Sequence, residues 1–175
     1  DSQVELPAFL AGYILSMLVE EYHIGMVIPK DNGDAQRAYN AFVNGKTYYC
    51  GLCRTFYIDP IGYPQFIEIP ADEKTASYGA YANVLINDRD VDALYIYPSL
   101  VSDDLLTYLG TQGVLLFGTS MPEPRPGGWV MTIQPDVIKA IQNAWPQLVA
   151  GQGGVTVQSP LGLGDVDPSL LSPGK

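Results

Sequence analysis

Short apolar segments alternate with amphipathic helical segments along most of this chain, and that alternation restricts the folds open to it. Apolar runs typical of buried strands occupy residues 23–28, 65–69, 91–97, 114–117 and 129–133. Helical patterns, with apolar side chains recurring every three or four positions, occupy residues 3–21, 35–43, 72–87, 102–109 and 136–149. Strand–helix–strand units of this kind join parallel neighbours within one sheet.

The expected architecture follows from the handedness of such units. Right-handed crossovers place helices on both faces of the sheet. We therefore predict an α/β fold with a doubly wound, mainly parallel five-stranded sheet in a three-layer α/β/α sandwich. Residues 1–150 form this single lobe, and their number is sufficient for a full core. Residues 151–175 are rich in Gly, Pro and Ser without a periodic pattern, which indicates a linker or a returning tail.

Composition and charge exclude some partners. Hydrophobic residues make up 47% of the chain, which is typical of a globular protein. The formal net charge is −10 at pH 7. A nucleic-acid partner would need basic residues to neutralise its phosphates, so we expect none. No apolar run approaches the length that spans a bilayer, and no charged-then-apolar leader opens the chain.

Polar residues follow the predicted strands, at the edge where ligands bind to such sheets. This edge comprises four loops, which span residues 29–34, 70–72, 98–102 and 118–122. We predict ligand-binding roles there for seven residues: Asp31, Asn32, Asp72, Tyr97, Ser99, Thr119 and Ser120.

These residues also have ordinary structural interpretations, which the sequence leaves open. Asp31 or Asn32, Asp72, Ser99 and Ser102 suit helix caps. Tyr97 either stacks on a base or sugar, or packs beneath a helix. Trp129 either lines the same edge or fills the core, and we predict the core.

Cys50 and Cys53 form a Cys-x-x-Cys motif with several interpretations. A redox pair normally follows a strand and opens a helix, whereas this pair follows a predicted helix. Zinc needs about four ligands, and the single histidine, His23, lies far along the chain. A local disulfide in an oxidising compartment is therefore the interpretation we favour, with two free thiols as its alternative.

Catalysis finds no support in the sequence. The single histidine and the lack of a Gly-x-Ser-x-Gly elbow exclude the usual serine triad pattern. The acidic pairs Asp72/Glu73 and Asp103/Asp104 are adjacent residues at helix starts, where they complement the helix dipole and do not face each other. We predict no enzyme activity, no catalytic residue, no metal and no cofactor.

The opening of the chain resembles a known family. Asp1-Ser2-Gln3 followed by Ala8-Phe9-Leu10-Ala11-Gly12-Tyr13 is similar to the "D-D-Q … F-L-A-G-Y" segment of the basic membrane protein family, and Ile24-Gly25-Met26-Val27 is similar to its next strand. These proteins are surface or periplasmic solute-binding lipoproteins, several of which bind nucleosides for ABC transporters. Weaker similarities are Asp90 to Tyr95 with "GADVIF", Leu116 to Ser120 with "VIGVDSD", and Asp136 with the entry of "NVDxAVxxAI".

The nucleoside-reading positions of that family differ here. Its nucleoside-binding members carry an acidic residue after the glycine of the "GVDSD" strand, where this chain has Thr119 and Ser120. They also carry a lysine shortly before the last helix, where this chain has Ile133 and Gln134. The resemblance therefore leaves the identity of the solute open.

The resemblance implies a function and a setting. It implies the C-terminal lobe of a type I periplasmic-binding-protein fold, outside the cytoplasm and lipid-anchored in the complete protein. Its partners would be a small polar solute, the N-terminal lobe of the same protein and the membrane permease of an ABC transporter. The residues alone leave two alternatives: a flavodoxin-like or Rossmann-like nucleotide-binding enzyme domain, and a receiver-like docking domain.

Overall fold

A six-stranded sheet forms the centre of the protein in the computed structural model, which describes residues 4–51, 62–154, 157 and 159–171. The strands are β1 (Ile24–Pro29), β2 (Gln65–Ile69), β3 (Ala93–Ile96), β4 (Leu115–Gly118), β5 (Trp129–Pro135) and β6 (Leu161–Gly164). Their spatial order is β2-β1-β3-β4-β5-β6. The first five strands are mutually parallel, and β6 is antiparallel to β5.

Helices cover both faces of this sheet. The α-helices of the described chain are α1 (Glu5–Leu18), α2 (Gly33–Cys50), α3 (Tyr78–Asn83), α4 (Asp103–Leu109) and α5 (Val137–Val149), of which α1 to α4 cover the sheet. Helices α1 and α2 pack on one face, over Met26, Tyr95 and Phe117. Helices α3 and α4 pack on the other, over a second core that includes Val27 and Leu116. The predicted α/β class and doubly wound, mainly parallel sheet are confirmed.

The alternation of side chains along each strand explains why two cores form. Met26 and Ile28 of β1 point to the α1–α2 side, while Val27 between them points to the α3–α4 side. Five of the six β1 residues are buried. Strands buried on both faces read as continuous apolar runs, which is why the sequence pattern located the central strands.

The predicted number of five strands is wrong, because β6 adds a sixth. β6 lies in the segment that the sequence analysis assigned to a linker or returning tail. Its sequence, Leu-Gly-Leu-Gly, lacks the β-branched and aromatic residues typical of strands. Gly164 lies close to a side chain of β5: a Cβ there would be 2.5 Å from the side-chain Nε2 atom of Gln134.

The helix predicted over residues 72–87 begins later and changes form. A 3-10 turn spans Thr75–Ser77, α3 follows, and a π-helical turn closes the segment at Val84–Asp88. Lys74 is extended and no side chain caps the 3-10 turn or α3. Asp72 lies in a turn ahead of this segment, and the extended Lys74 separates it from the first helical residue.

Helices α1 and α2 cross without room for side chains at two positions. A Cβ at Gly12 would overlap the carbonyl oxygen of Phe42, and a Cβ at Gly45 would overlap the carbonyl oxygen of Phe9. The two backbones therefore touch directly, and Phe42 is fully buried beneath the crossing. Among the described residues, no helix is both long and apolar enough to cross a membrane.

Replacement of Gly12 by alanine will test this crossing. The added methyl meets backbone atoms that cannot rotate away, so Gly12→Ala will lower the free energy of unfolding by about 1–3 kcal/mol. Urea denaturation followed by circular dichroism measures the change. Gly33→Ala is the matched control, because open space surrounds a Cβ there and the exchange should change stability by less than about 1 kcal/mol. Equal effects of the two exchanges would contradict the proposed contact.

Candidate functional site

The carboxyl ends of the five parallel strands share one edge, which we call the loop edge. It consists of the segments that follow β1 to β5, at residues 30–32, 70–74, 97–102, 119–122 and 135–136. Strand order places the β1 loop between those of β2 and β3. β2 lies on one side of β1 and β3 lies on the other, so the strand order reverses at β1. In open α/β sheets, ligands bind at the carboxyl ends of the strands at such a point.

The β1 loop presents Asp31 and fixes Asn32. The Oδ1 atom of Asn32 accepts a hydrogen bond from the backbone N–H of Ala35 at 3.0 Å, so Asn32 and not Asp31 caps α2. Asp31 is exposed and takes a left-handed backbone conformation, with φ of 56°. The Lys30 N–H donates to the carbonyl oxygen of Ile69 at 2.8 Å, which ties this loop to the end of β2. The Asp31 side chain therefore lies exposed at the loop edge and does not cap α2.

The β3 loop buries Tyr97 and exposes Ser99. Tyr97 is 7% exposed and belongs to the core beneath α1 and α2, which matches the packing alternative for its ring. Burial raises the pKa of the Tyr97 hydroxyl; the nearby Asp34 carboxylate reinforces this shift and Arg37 opposes it. Ser99 lies exposed in the Pro98–Leu100 turn. Ser102 caps α4, as the sequence predicted, by accepting a hydrogen bond from the Leu105 N–H at 3.4 Å.

The β4 loop is shaped by Trp129. A Cβ at Gly118 would lie 2.5 Å from the Cη2 atom of Trp129, so only glycine fits at the end of β4. Trp129 is fully buried, which confirms its predicted place in the core, and its indole N–H donates to the Thr132 hydroxyl at 3.2 Å. Beyond Gly118, Thr119 is half-buried and Ser120 is exposed.

The β2 loop depends on Glu73, which the sequence analysis had assigned to a helix start. Its carboxylate accepts hydrogen bonds from the Tyr81 hydroxyl at 3.1 Å and from the Lys74 N–H at 3.2 Å. Hydrogen bonds from Ser77 and Tyr81 lower the pKa of this carboxyl. Asp72 beside it is exposed. Glu73 and Tyr81 are eight residues apart, outside the spacings of three and four at which helical side chains meet, so the helical pattern did not indicate this pair.

The loop edge thus assembles carboxylate, amide and hydroxyl groups. Asp31, Asn32, Asp72, Ser99 and Ser120 are all exposed there. Carboxylates accept hydrogen bonds, while hydroxyls and the amide both donate and accept. This set suits a polar solute that carries hydroxyl groups. The structure brings these residues to one edge. Their ligand-binding roles remain predictions.

His23 lies at the opposite end of the strands, away from this edge. Its Nδ1 atom is 3.4 Å from the Asp90 carboxylate and 3.6 Å from that of Asp92, and its ring stacks on Tyr63 at 4.4 Å. These contacts tie the amino ends of β1 and β3. In the described part of the chain, no cluster of three His, Cys, Asp or Glu residues has the arrangement of a metal site.

Only half of the predicted Cys50–Cys53 pair can be described. Cys50 is the last residue of α2. Cys53 lies outside the described residues, and the disulfide stays a prediction.

Comparisons with known proteins support the fold and leave the family open. No family model matches the sequence, and no curated protein matches it significantly. A solved ABC transporter solute-binding protein from Conexibacter woesei DSM 14684 is similar to it, with a TM-score of 0.59 and 15% identity over 96% of this chain. A transcription regulator from Staphylococcus saprophyticus subsp. saprophyticus is also similar, with a TM-score of 0.54 and 13% identity over 94% of this chain.

Both similarities extend over only part of the solved proteins. The chain spans 57% of the solute-binding protein and 62% of the regulator. At these identities the likeness establishes the fold alone, which this chain shares with part of a solute-binding protein and part of a regulator.

Removal of the Tyr81 hydroxyl will test the role of Glu73 in the β2 loop. Tyr81→Phe deletes one of the hydrogen bonds that lower the pKa of Glu73, so this pKa will rise toward its ordinary value. Because a carboxyl with a lowered folded-state pKa stabilises above its unfolded pKa and loses that stabilisation as pH falls through the folded pKa, the variant will be less stable near neutral pH and its stability will fall less on acidification. Side-chain NMR titration of Glu73 measures the shift. Tyr108→Phe, whose hydroxyl donates to Asn83, is the control and should leave the Glu73 titration unchanged.

Proposed function

We propose that this chain is one lobe of a two-lobe solute-binding protein that delivers a small polar solute to an ABC transporter. The observation that supports this most directly is the row of exposed polar side chains at the loop edge, next to the central strands β1 and β3. A solute held there would be contacted by this lobe on one side only. The similarity to a solute-binding protein of which the chain spans 57% supports the same conclusion.

The mechanism is hinge closure around the solute. Asp31 would accept hydrogen bonds from solute hydroxyls, as would Asp72 farther along the edge, and Ser99 and Ser120 would donate or accept. Asn32 is committed to the cap of α2 through its Oδ1 atom, so only its NH2 group is free to donate. A second lobe would supply the remaining contacts, and solute would favour the closed state by its higher affinity for it.

The remaining parts of the proposal follow from the basic membrane protein resemblance. The second lobe would belong to the same polypeptide, and a membrane permease would accept the solute. The protein would work outside the cytoplasm, held by a lipid anchor. Nucleosides are the first solutes to test, although Thr119 and Ser120 replace the acidic position of nucleoside-binding relatives. We propose a binding role without catalysis.

Calorimetric titration of the two-lobe protein will test this function. Adenosine, inosine and ribose serve as first probes, followed by other polar metabolites. Asp31→Ala will weaken binding of the solute found by about 10–100-fold, the usual effect of losing a hydrogen bond to a charged group. Asp88→Ala removes an equally exposed carboxylate from the end of the π-helical turn and should leave affinity unchanged.

A thermal-shift assay separates the alternative function. Tight binding of FMN or NAD by residues 1–175 alone, seen as a thermal shift of several degrees, would contradict the receptor proposal. That result would favour a nucleotide-binding enzyme domain.

A further inference from the structure

A small cavity lies where α1 ends and β1 begins, at the opposite end of the strands from the loop edge. Its volume is about 200 Å³. The residues that line it include Met17, Glu20, Glu21, Tyr22 and Tyr49. Pockets for drug-sized ligands occupy about 300–1,000 Å³, so this cavity suits a group of only a few heavy atoms.

Two tyrosine rings of this cavity stand at a steep angle to each other. The ring centroids of Tyr22 and Tyr49 are 6.4 Å apart, with 69° between the ring planes. On its other side Tyr49 is supported by Tyr13 of α1, whose ring is perpendicular to it at 5.7 Å. An aromatic face attracts a cation within about 6 Å of its centroid, and aromatic cages bind quaternary ammonium groups in this way. The rings therefore favour a cationic ligand.

The protein itself places a cation on one of these rings. The Lys46 Nζ atom lies 5.6 Å from the centroid of Tyr22. Lys46 is not among the residues that line the cavity, so its ammonium group does not fill it. The contact is direct evidence that a Tyr22 face takes positive charge in this fold.

Two carboxylates add a charge that complements a cation. Glu20 and Glu21 both line the cavity, and both are exposed. Lys46 offsets one of their two negative charges, so the group as a whole stays negative. The net charge of −10 on the chain adds to the attraction of cations. Glu21 also lies 3.8 Å from the Nε2 atom of His23, which makes Glu20 the better residue for a test.

The backbone that carries Tyr22 is strained. Glu21 and Tyr22 follow one another with φ of 53° and 62°, in the left-handed region that residues other than glycine seldom occupy. Backbone strain of this kind is concentrated at active sites and ligand clamps. The strained turn brings the Tyr22 ring beside Tyr49 of α2, which supports a binding role for the pair.

From these contacts we propose that the cavity binds a small organic ammonium ion. Tyr22 and Tyr49 would surround the alkylated nitrogen, and Glu20 and Glu21 would supply the counter-charge. An anion would be repelled by the carboxylates, and an uncharged group would gain nothing from them. Because the cavity lies away from the loop edge, the inference does not rest on the proposed function, and either one can fail without the other.

NMR titration of the ¹⁵N-labelled protein with choline chloride will test the inference, with sodium chloride as the control for ionic strength. Saturable shifts are expected at the amides of residues 17–22 and of Tyr49. The uncharged isostere 3,3-dimethyl-1-butanol should bind at least about 10-fold more weakly, because it has the same shape without the cation. Equal affinities of the two probes, or the absence of a saturable shift with choline, would overturn the inference.

A matched pair of tyrosine exchanges locates the binding. Tyr49→Leu removes one ring of the cavity and will weaken choline binding by about 5–30-fold. Tyr48→Leu is the control, because Tyr48 packs on Phe9 and Tyr13 and is not among the residues that line the cavity. Its affinity for choline should be unchanged, and equal effects of the two exchanges would overturn the inference.

An exchange at the exposed Glu20 keeps the test open if Tyr49→Leu does not fold. Glu20→Gln preserves the size of the side chain and removes its charge, so choline binding should weaken by about 3–10-fold. Unchanged affinity in this variant would contradict the role of the carboxylates.

Vesicles of phosphatidylcholine identify the source of the ammonium group. They present the same quaternary nitrogen as choline on a lipid surface, whereas we assign the site to a free ammonium solute. The protein should therefore stay in solution when the vesicles are sedimented. Co-sedimentation that Tyr49→Leu abolishes, together with no response to free choline, would overturn this assignment in favour of a lipid headgroup.

Discussion

The contact on which the rest of this structure depends is the crossing of α1 and α2 at Gly12 and Gly45. Neither position has room for a Cβ, so the two helices lie closer together than side chains would allow. This closeness lets both helices cover the same face of the sheet, over β1 and β3, whose residues Met26 and Tyr95 are fully buried there. The start of α2 is then fixed above the end of β1, and with it the loop that carries Asp31.

Much of the fold could be predicted from the sequence because its central strands are buried on both faces. Such strands leave uninterrupted apolar runs; β3 lies within a predicted run, and β1 and β4 each extend one residue beyond theirs. The signal failed at one strand, β6, although the partly buried β2 was located by its alternating side chains. β6 is short, glycine-rich and only partly buried, and its pairing with β5 is decided by a contact distant in sequence. The local pattern of a single sequence does not reveal such a contact.

The candidate site was predictable in position and less so in detail. The rule that ligands bind beyond the carboxyl ends of parallel strands selects residues that the structure gathers at one edge, and the cap formed by Ser102 follows from residue type. Residue type left Asp31 and Asn32 as alternatives at α2, and the structure selects Asn32. The hydrogen bonds of Glu73 with Ser77 and Tyr81 depend on where a helix begins, which the pattern misplaced. The burial of Tyr97 depends on the packing of α1 and α2, and the sequence could not decide between its two interpretations.

The pairing of Pro135 with Leu161 has a consequence for how such a protein can vary. The segment between them is, in topological terms, an insertion at a single point of the β5–β6 ladder. It can be lengthened, shortened or exchanged over evolution while the five parallel strands keep their register. Exchange of this segment would leave the loops that follow the parallel strands in place.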